Sequence, residues 1–429
     1  MDVKPQTPSP HGALPPRKKL SRRKLWIFRL VALGLGLLLG FLALEVGVRI
    51  LASARPNDIE TLKRFEERKA KGEPLDLRHL IRMSRNPLLI YEFIPSVEGI
   101  FERVTVRINS AGYRDKERTL AKPPDTWRLA TLGDSILFGW GSPEEVRFTN
   151  VLEDFLNETG DGTKFEVLNF GVPSYNTVSE DGLLKTVVAP YEPDAVLLSF
   201  CLENDHSLPN FVSRPRPLYT LRESFAWKLL EGRGKGGIRG RLQPELEGSQ
   251  RDVVPEEYRF MVGVDRCLEA LADIGNFTRR KKWPALFVVD YWLLDPWLAP
   301  NARPLSEDPA STVTAAARSA GFIEVNTLKP TADYLTTHSE GMRAMWVTND
   351  DPHPNAIRHA LVAREIYRQM VEQGVLPDSD ARRAELPAHL ARWDGIIEAA
   401  RTNTTLPSRA AEVGNETLDY SEVWGRLAW

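Results

Sequence analysis

A serine at the end of an apolar stretch is the first sign of chemistry in this sequence. The segment 127–141 reads WRLATLGDSILFGWG, in which the β-prone run Leu129–Leu132 is followed by Gly133, Asp134 and Ser135. A buried strand that ends in a tight turn presents the side chain of the turn at the carboxyl end of a sheet, where open α/β sheets bind ligands. The sequence therefore predicts Ser135 at such an edge, although a GDS triplet by itself is typical of an ordinary strand-to-helix turn.

A base for this serine must come from elsewhere, because a serine hydroxyl is a weak nucleophile until a neighbouring group takes its proton. Among the seven histidines, only His353 both follows an aspartate by three residues and precedes a predicted helix. Asp350 would accept a hydrogen bond from its imidazole and fix the tautomer, as in other triads. The D-x-x-H spacing favours Asp350 for this role, and Asp351 is the alternative.

Four blocks in this order resemble those of the SGNH hydrolases, also called the GDSL esterase/lipase family, and in particular its membrane-anchored bacterial type. The blocks are the GDS serine at Ser135, Gly171 in VLNFGVPSYNT, Asn204 in LLSFCLENDHS, and Asp350 with His353 in NDDPHPN. Each block alone is a weak signal, whereas four in order along one chain are a specific one.

The resemblance covers about Arg107 to Gln373, and it departs from the family at Leu202, where the family has a glycine. Just before the GDS block, Asn109, Gly112 and Arg114 match a stretch found in membrane-anchored bacterial members. We interpret that stretch as a segment that packs against the sheet near the site.

The resemblance implies a three-layer α/β/α flavodoxin-like parallel sheet and a serine esterase with Ser135, His353 and Asp350 as its catalytic residues. It also implies an oxyanion hole made of the backbone N–H groups of Ser135 and Gly171 and the side-chain amide of Asn204. The residue types suit these roles, because a glycine lets backbone approach a ligand closely and one such donor typically contributes about 3–4 kcal/mol. No cofactor and no metal are expected.

Other classes of function stay open from the residues alone. The same triad would serve an O-acyltransferase that modifies an envelope or secreted polysaccharide, or a lipid-ester hydrolase, since these differ only in the acceptor or the acyl group. A binding or assembly protein that keeps the fold without turnover is the third class. The intact set of serine, histidine and aspartate argues against it.

Strand and helix patterns alternate after residue 127, which predicts βαβ units and a parallel sheet. The predicted strands are Leu129–Leu132, Glu166–Asn169, Ala195–Phe200, Ala285–Val289 and Phe322–Val325. The predicted helices are Val146–Asn157, Thr177–Val188, Glu256–Phe277, Pro309–Ala320 and Asn355–Gln373.

The composition is that of an ordinary globular protein, with 42% hydrophobic and 27% charged residues over 429 positions. A net charge of −2 gives no electrostatic reason to expect a nucleic-acid partner. The only two cysteines, Cys201 and Cys267, have no spacing typical of a metal site or a disulfide framework.

The N-terminus predicts a membrane anchor. A disordered basic tail over 1–24 precedes the apolar span 25–48, which is near the roughly 20 residues that cross a bilayer. Positive charge in front of the span places the N-terminus in the cytoplasm and the rest of the chain outside, in the periplasm or at the cell surface. A signal peptide cleaved after Ala54 is the alternative. The oligomeric state is not predicted.

The remaining chain is predicted to divide into three parts. A charged juxtamembrane helix within Arg55–Arg85 and a small strand-containing segment make up 49–126. The hydrolase domain spans 127–376 and carries an insertion, 206–255, which we interpret as a lid or a flexible surface loop. A C-terminal extension over 377–429 contains a predicted helix, Pro377–Arg401, and an aromatic end in which Trp424 and Trp429 pack back on the body.

Overall fold

The structure is a computed structural model that describes residues 21–54, 75, 77–84, 86, 88–160, 162–202, 204–209, 256–290, 310–338, 341–348 and 351–403. The chain divides into two compact units, and helix α1 (Arg22–Ala54) belongs to the first of them. Within it, Arg22–Gly47 is long and apolar enough to cross a membrane, a test that a signal sequence also passes. Its apolar side chains from Leu25 to Val46 are almost all exposed. The predicted helix is confirmed, and its topology stays a prediction.

Two small antiparallel hairpins open the second unit. Strands β1 (Ile81–Met83) and β2 (Tyr91–Phe93) form the first, and β3 (Glu98–Phe101) and β4 (Val104–Arg107) form the second. Short strands in this region were expected. The charged helix predicted within Arg55–Arg85 does not extend to the end of that stretch, because Ile81 is buried in a strand pair that the local charge pattern does not reveal. Most of that predicted helix lies outside the described residues.

Five parallel strands form the central sheet, and all five were predicted. They are β5 (Thr126–Gly133), β6 (Lys164–Gly171), β7 (Ala195–Cys201), β8 (Ala285–Asp290) and β9 (Ile323–Val325). Their order across the sheet is β6-β5-β7-β8-β9. The first strand thus has the second on one side and the third on the other, which is the flavodoxin-like arrangement with its switch point at β5.

Helices cover both faces of the sheet, as the continuous apolar strands require. They are α2 (Ser135–Phe138), α3 (Phe148–Glu158), α4 (Thr177–Leu183), α5 (Val264–Lys281), α6 (Ser311–Ser319), α7 (Leu328–His338), α8 (Ala356–Glu372) and α9 (Ser379–Asn403).

Each face of the sheet has its own hydrophobic core, because successive strand residues point to opposite sides. Ala130 joins a core with residues of the hairpins and of α4, α5 and α6. Its neighbour Leu129 joins the other core, with residues of α3, α8 and α9 such as Trp393. The three-layer α/β/α architecture is therefore confirmed, and so is the C-terminal helix, which is α9.

A last antiparallel pair carries the predicted base. Strands β10 (Trp346–Thr348) and β11 (Asp351–Pro354) form it, and neither was predicted. The insertion predicted to be a lid or a surface loop consists mostly of residues 210–255. Trp424 and Trp429, which were predicted to pack on the body, belong to 404–429. Both lie outside the described residues.

Candidate active site

Ser135 lies where the sequence places it, at the carboxyl end of β5. It is the first residue of the short helix α2, and the carboxylate of Asp134 caps this helix by accepting from the Ile136 N–H at 2.9 Å. Both Asp134 and Ser135 are buried, with 6% of Ser135 exposed. The strand, the cap and the one-turn helix together hold the serine hydroxyl at the switch point of the sheet, where open α/β sheets bind ligands.

His353 reaches this serine across 218 residues of sequence, with its Nε2 2.8 Å from Ser135 Oγ. Its Nδ1 is 2.6 Å from Asp351 Oδ1, which also accepts from the His353 backbone N–H at 3.1 Å. An ionised carboxylate only accepts hydrogen bonds. Nδ1 therefore carries the proton, and the Nε2 lone pair faces the serine hydroxyl, as a general base requires.

The carboxylate partner of His353 is Asp351, whereas the spacing argument favours Asp350. Asp350 lies outside the described residues. Residues two apart on a strand point to the same side, and Asp351 and His353 both belong to β11. The D-x-x-H preference overlooked this strand, and the alternative assignment to Asp351 agrees with the geometry.

The charge of Asp351 is stabilised although the side chain is largely enclosed. Burial raises its pKa, but hydrogen bonds and charge from His353, with a further hydrogen bond from Trp140, outweigh burial and lower it overall. Asp351 is therefore ionised at neutral pH, which is the state that can orient the imidazole and stabilise its cation.

Asn204 is brought to the site by the turn that follows β7. Its Nδ2 donates to Asp134 Oδ2 at 2.8 Å. The replacement of the family glycine by Leu202, which is buried, does not keep this amide from reaching the residue beside the nucleophile. An amide nitrogen has two N–H donors, so a second one exists besides the bond to Asp134.

Gly171 lies at the end of β6, but its backbone N–H already donates to Asn169 Oδ1 at 2.9 Å. A Cβ at this position would come within 2.4 Å of the Phe138 backbone nitrogen. The glycine is needed because α2 packs directly on it. Its donor is thus engaged by a side chain of its own strand, and the predicted oxyanion role of Gly171 stays a prediction.

Asn169 is a site-supporting residue that the sequence reasoning missed. Besides accepting from Gly171, its Nδ2 donates to Leu137 O at 2.7 Å and to Thr149 Oγ1 at 3.2 Å. It therefore joins β6 to the helix that begins with Ser135. The only sequence signal was a polar side chain within the apolar run Val167–Phe170.

A second missed group is the ion pair between Asp290, at the end of β8, and Arg358, in the first turn of α8. Arg358 Nη2 is 2.5 Å from Asp290 Oδ1, and both side chains are almost fully buried. Burial raises the pKa of Asp290, against the nearby Arg358, and the charge of Asp134 raises it further. The pair ties α8, which follows His353, to the edge of the sheet.

Burial also acts on Asp134, the acid beside the nucleophile. It raises the pKa of this carboxyl, while hydrogen bonds from Asn204 and Ile136 and the charge of His353 oppose the change. Among the described residues, no cluster of three or more His, Cys, Asp or Glu side chains could hold a metal ion.

No protein-family model and no curated protein matches the chain. Solved structures do resemble it. A catalytic mutant of an acetylxylan esterase from Geobacillus stearothermophilus aligns at 13% identity with a TM-score of 0.37, covering 57% of this chain and 94% of the other. A two-domain esterase active on acetylated mannans aligns at 16% identity with a TM-score of 0.36, covering 58% and 49%.

An α/β hydrolase enzyme from the metagenome of Lake Arreo is a third similar structure. It aligns at 14% identity with a TM-score of 0.35, covering 57% of this chain and 94% of the other.

Proposed function

We propose that this chain is a serine esterase of the SGNH type, anchored through α1, that acts outside the cytoplasm on ester groups, with O-acetyl groups as the preferred class. The observation that carries this proposal is the unbroken chain of contacts from Ser135 Oγ through His353 to Asp351. A serine, a base and an orienting carboxylate in hydrogen-bond reach are the geometric signature of an activated nucleophile.

In the first half of the reaction, His353 Nε2 takes the proton of Ser135 as the serine oxygen attacks the ester carbonyl. The backbone N–H of Ser135 lies in the first turn of α2, where it has no partner within its own helix, and it contacts the Asp134 carboxylate. It and an Nδ2–H of Asn204 would donate to the oxyanion of the tetrahedral intermediate. Asp351 stabilises the imidazolium that forms, and His353 then returns the proton to the leaving alcohol, which gives an acyl-serine.

In the second half, His353 takes the proton of an acceptor hydroxyl as it attacks the acyl-serine, the bond from the acyl group to Ser135 Oγ breaks, and His353 returns the proton to Ser135. Water as acceptor gives an esterase, whereas a sugar hydroxyl would give an O-acyltransferase. The triad is the same in both reactions. An assay with and without a sugar acceptor therefore distinguishes the O-acyltransferase from the esterase. A lipid-ester hydrolase differs instead in the acyl group it accepts.

The proposed location rests on α1 and the residues before it. Basic residues cluster in front of the apolar span at Arg17, Lys18, Lys19, Arg22, Arg23 and Lys24. The positive-inside rule then puts the N-terminus in the cytoplasm. A catalytic unit on the other side of the membrane meets acetylated envelope or secreted polysaccharide, which is why O-acetyl groups are proposed first.

The test uses the full-length protein in detergent with p-nitrophenyl acetate and p-nitrophenyl palmitate, each with and without an oligosaccharide acceptor, and Ser135→Ala as the control. We expect acetate turnover that the serine variant lacks. Acyl-oligosaccharide product would favour the transferase, and preference for palmitate would favour a lipid-ester hydrolase. Absence of turnover in the unaltered protein with every ester would contradict the proposal.

A further inference from the structure

Trp140 lies directly against the His353–Asp351 pair. Its indole ring stacks on the imidazole of His353, with centroids 5.1 Å apart and an interplanar angle of 15°. Its side chain also makes a hydrogen bond to the carboxylate of Asp351. Because the indole N–H is the only polar group of this side chain and can only donate, one residue contacts both members of the pair.

Phe101 is a second aromatic neighbour of Trp140. The two rings meet edge to face, with centroids 4.7 Å apart at 82°. Phe101 is 1% exposed and belongs to β3, so the hairpin β3–β4 that precedes the sheet supplies this contact. Trp140 thus contacts a buried aromatic ring as well as the imidazole, and the imidazole covers its stacked face.

The backbone around Trp140 is fixed as well. The residues on either side, Gly139 and Gly141, have φ values of 79° and 67°, which residues other than glycine rarely adopt. The buried guanidinium of Arg114 donates to Gly139 O at 2.5 Å and to Ser142 O at 2.8 Å. The loop that carries the indole is therefore held on both sides of it.

We propose that Trp140 is a positioning residue for the catalytic base, which fixes the plane of the His353 ring by stacking and the direction of the Asp351 carboxylate by its N–H bond. This inference rests on the proposed function. Ring and hydrogen bond act separately, so each can be removed while the other stays. The hydrogen bond from the indole N–H lowers the pKa of Asp351. Without it the carboxylate is less stabilised, and the coupled histidine–aspartate pair binds a proton more readily.

The experiment uses Trp140→Phe, which keeps a ring in the stack but removes the N–H, in the full-length protein in detergent. For p-nitrophenyl acetate we expect kcat to fall about tenfold, as for loss of a hydrogen bond to a charged group, with KM nearly unchanged. The acidic limb of the kcat/KM profile, which reports the coupled triad, should move to higher pH. Trp140→Ala loses the stack too and should fall about 100-fold, the cost of a misplaced catalytic group.

Two further variants separate positioning from mere packing. Phe101→Leu removes the supporting edge contact but leaves the indole N–H, so we expect a lower kcat without the shift of the acidic limb. Trp127→Phe alters a tryptophan in the other core, beside Phe165, and is the matched control that should leave kcat and the profile unchanged. Equal kcat and equal pH profiles in Trp140→Phe and Trp127→Phe would overturn the positioning role.

A second readout does not depend on finding the right ester. A p-nitrophenyl alkylphosphonate labels an activated serine covalently and releases nitrophenolate, and the rate of release should fall in Trp140→Phe by the same factor as kcat. Labelling of Ser135 that is equally fast in both proteins overturns the positioning role alone. If the unaltered protein neither labels at Ser135 nor hydrolyses esters, the proposed function fails and the positioning role with it.

Discussion

At the scale of single residues, the proposed chemistry depends on which carboxylate holds His353. Asp351 contacts the imidazole through its side chain and accepts from the same residue's backbone N–H. The two contacts fix the carboxylate on its own strand. The imidazole is then oriented by a residue two positions away, rather than by one at the family spacing.

The first prediction concerns this triad. Ser135→Ala and His353→Ala should each reduce kcat by at least about 10⁴-fold, and the double variant should lose little more, because triad members act as a unit. Asp351→Asn should be milder, at about 10³- to 10⁴-fold, since it orients the base. Steady-state kinetics with p-nitrophenyl acetate measure all four.

Asp350→Asn is the matched control for the aspartate assignment, and it should retain most of the activity. A large loss in Asp350→Asn with none in Asp351→Asn would return the orienting role to the D-x-x-H aspartate. Full activity in Ser135→Ala would remove the triad altogether.

The second prediction concerns Asn204. If its amide donates to the oxyanion, Asn204→Ala should lower kcat on the order of 100- to 1,000-fold, as for other single donors. KM should stay nearly unchanged, because the bond forms only in the transition state. The midpoint of thermal unfolding checks that the loss is not one of folding. Near-normal kcat would show that this amide only binds Asp134.

At the scale of elements, the position of Ser135 depends on how tightly α2 lies on β6. Asn169 bonds to the carbonyl of Leu137, and Gly171 leaves no room for a Cβ between the strand and Phe138. Strand β6 therefore packs closely against the helix that begins with Ser135.

The third prediction follows from this close packing of α2 on β6. Gly171→Ala should destabilise the fold by about 1–3 kcal/mol, as overpacking typically does, and should reduce activity because the clash is with the backbone of α2. Gly341→Ala is the control, since a Cβ there meets nothing within 4 Å and its φ is −82°. Denaturant unfolding compares the two variants. Equal stability would mean that α2 can move away from β6 without cost.

The whole molecule should lose stability in mild acid because two histidines are buried. Burial lowers the pKa of His206 to about 4, and burial with the nearby charge of Arg147 lowers that of His359 to about 3. Both groups take up a proton more readily in the unfolded chain, whose reference pKa is 6.5. Stability is therefore fully present above that value and falls as the pH drops from about 6.5 towards 4.

The fourth prediction makes this pH dependence specific. In denaturant unfolding between pH 7 and 4.5, each histidine contributes a slope of at most about 1.4 kcal/mol per pH unit. His359→Phe removes one of them and should flatten the slope, whereas His338→Phe, on the partly exposed α7 residue, should not. An unchanged slope in His359→Phe would show that other groups cause the acid sensitivity.

The fifth prediction concerns the molecule in its membrane. The basic cluster before Leu25 should keep the N-terminus in the cytoplasm and leave Ser135 outside. A reporter fused after Arg55 that is active only outside the cytoplasm checks this orientation, and an N-terminal sequence of the mature protein checks retention of α1. An expressed fusion whose reporter is inactive contradicts the topology, and a mature chain that begins at Arg55 contradicts the anchor.

Much of the fold could be read from local pattern. The runs at Leu129–Leu132 and Ala195–Phe200 are apolar because a strand in the middle of a parallel sheet is buried on both faces, and each lies inside an observed strand. The same patterns put Ser135 and Asn204 just beyond strand ends. Since parallel strands finish at one edge, their approach to each other was predictable without tertiary information.

What the tertiary structure decided are the contacts between segments far apart in sequence. No local signal marks β1, β10 or β11, because short strands are stabilised by their partners rather than by their own periodicity. Without β11 the spacing favoured Asp350, and no local signal marks the hydrogen bond from the Gly171 N–H to Asn169. The stacking of Trp140 on His353 joins residues more than 200 positions apart, and only folding could bring those two rings together.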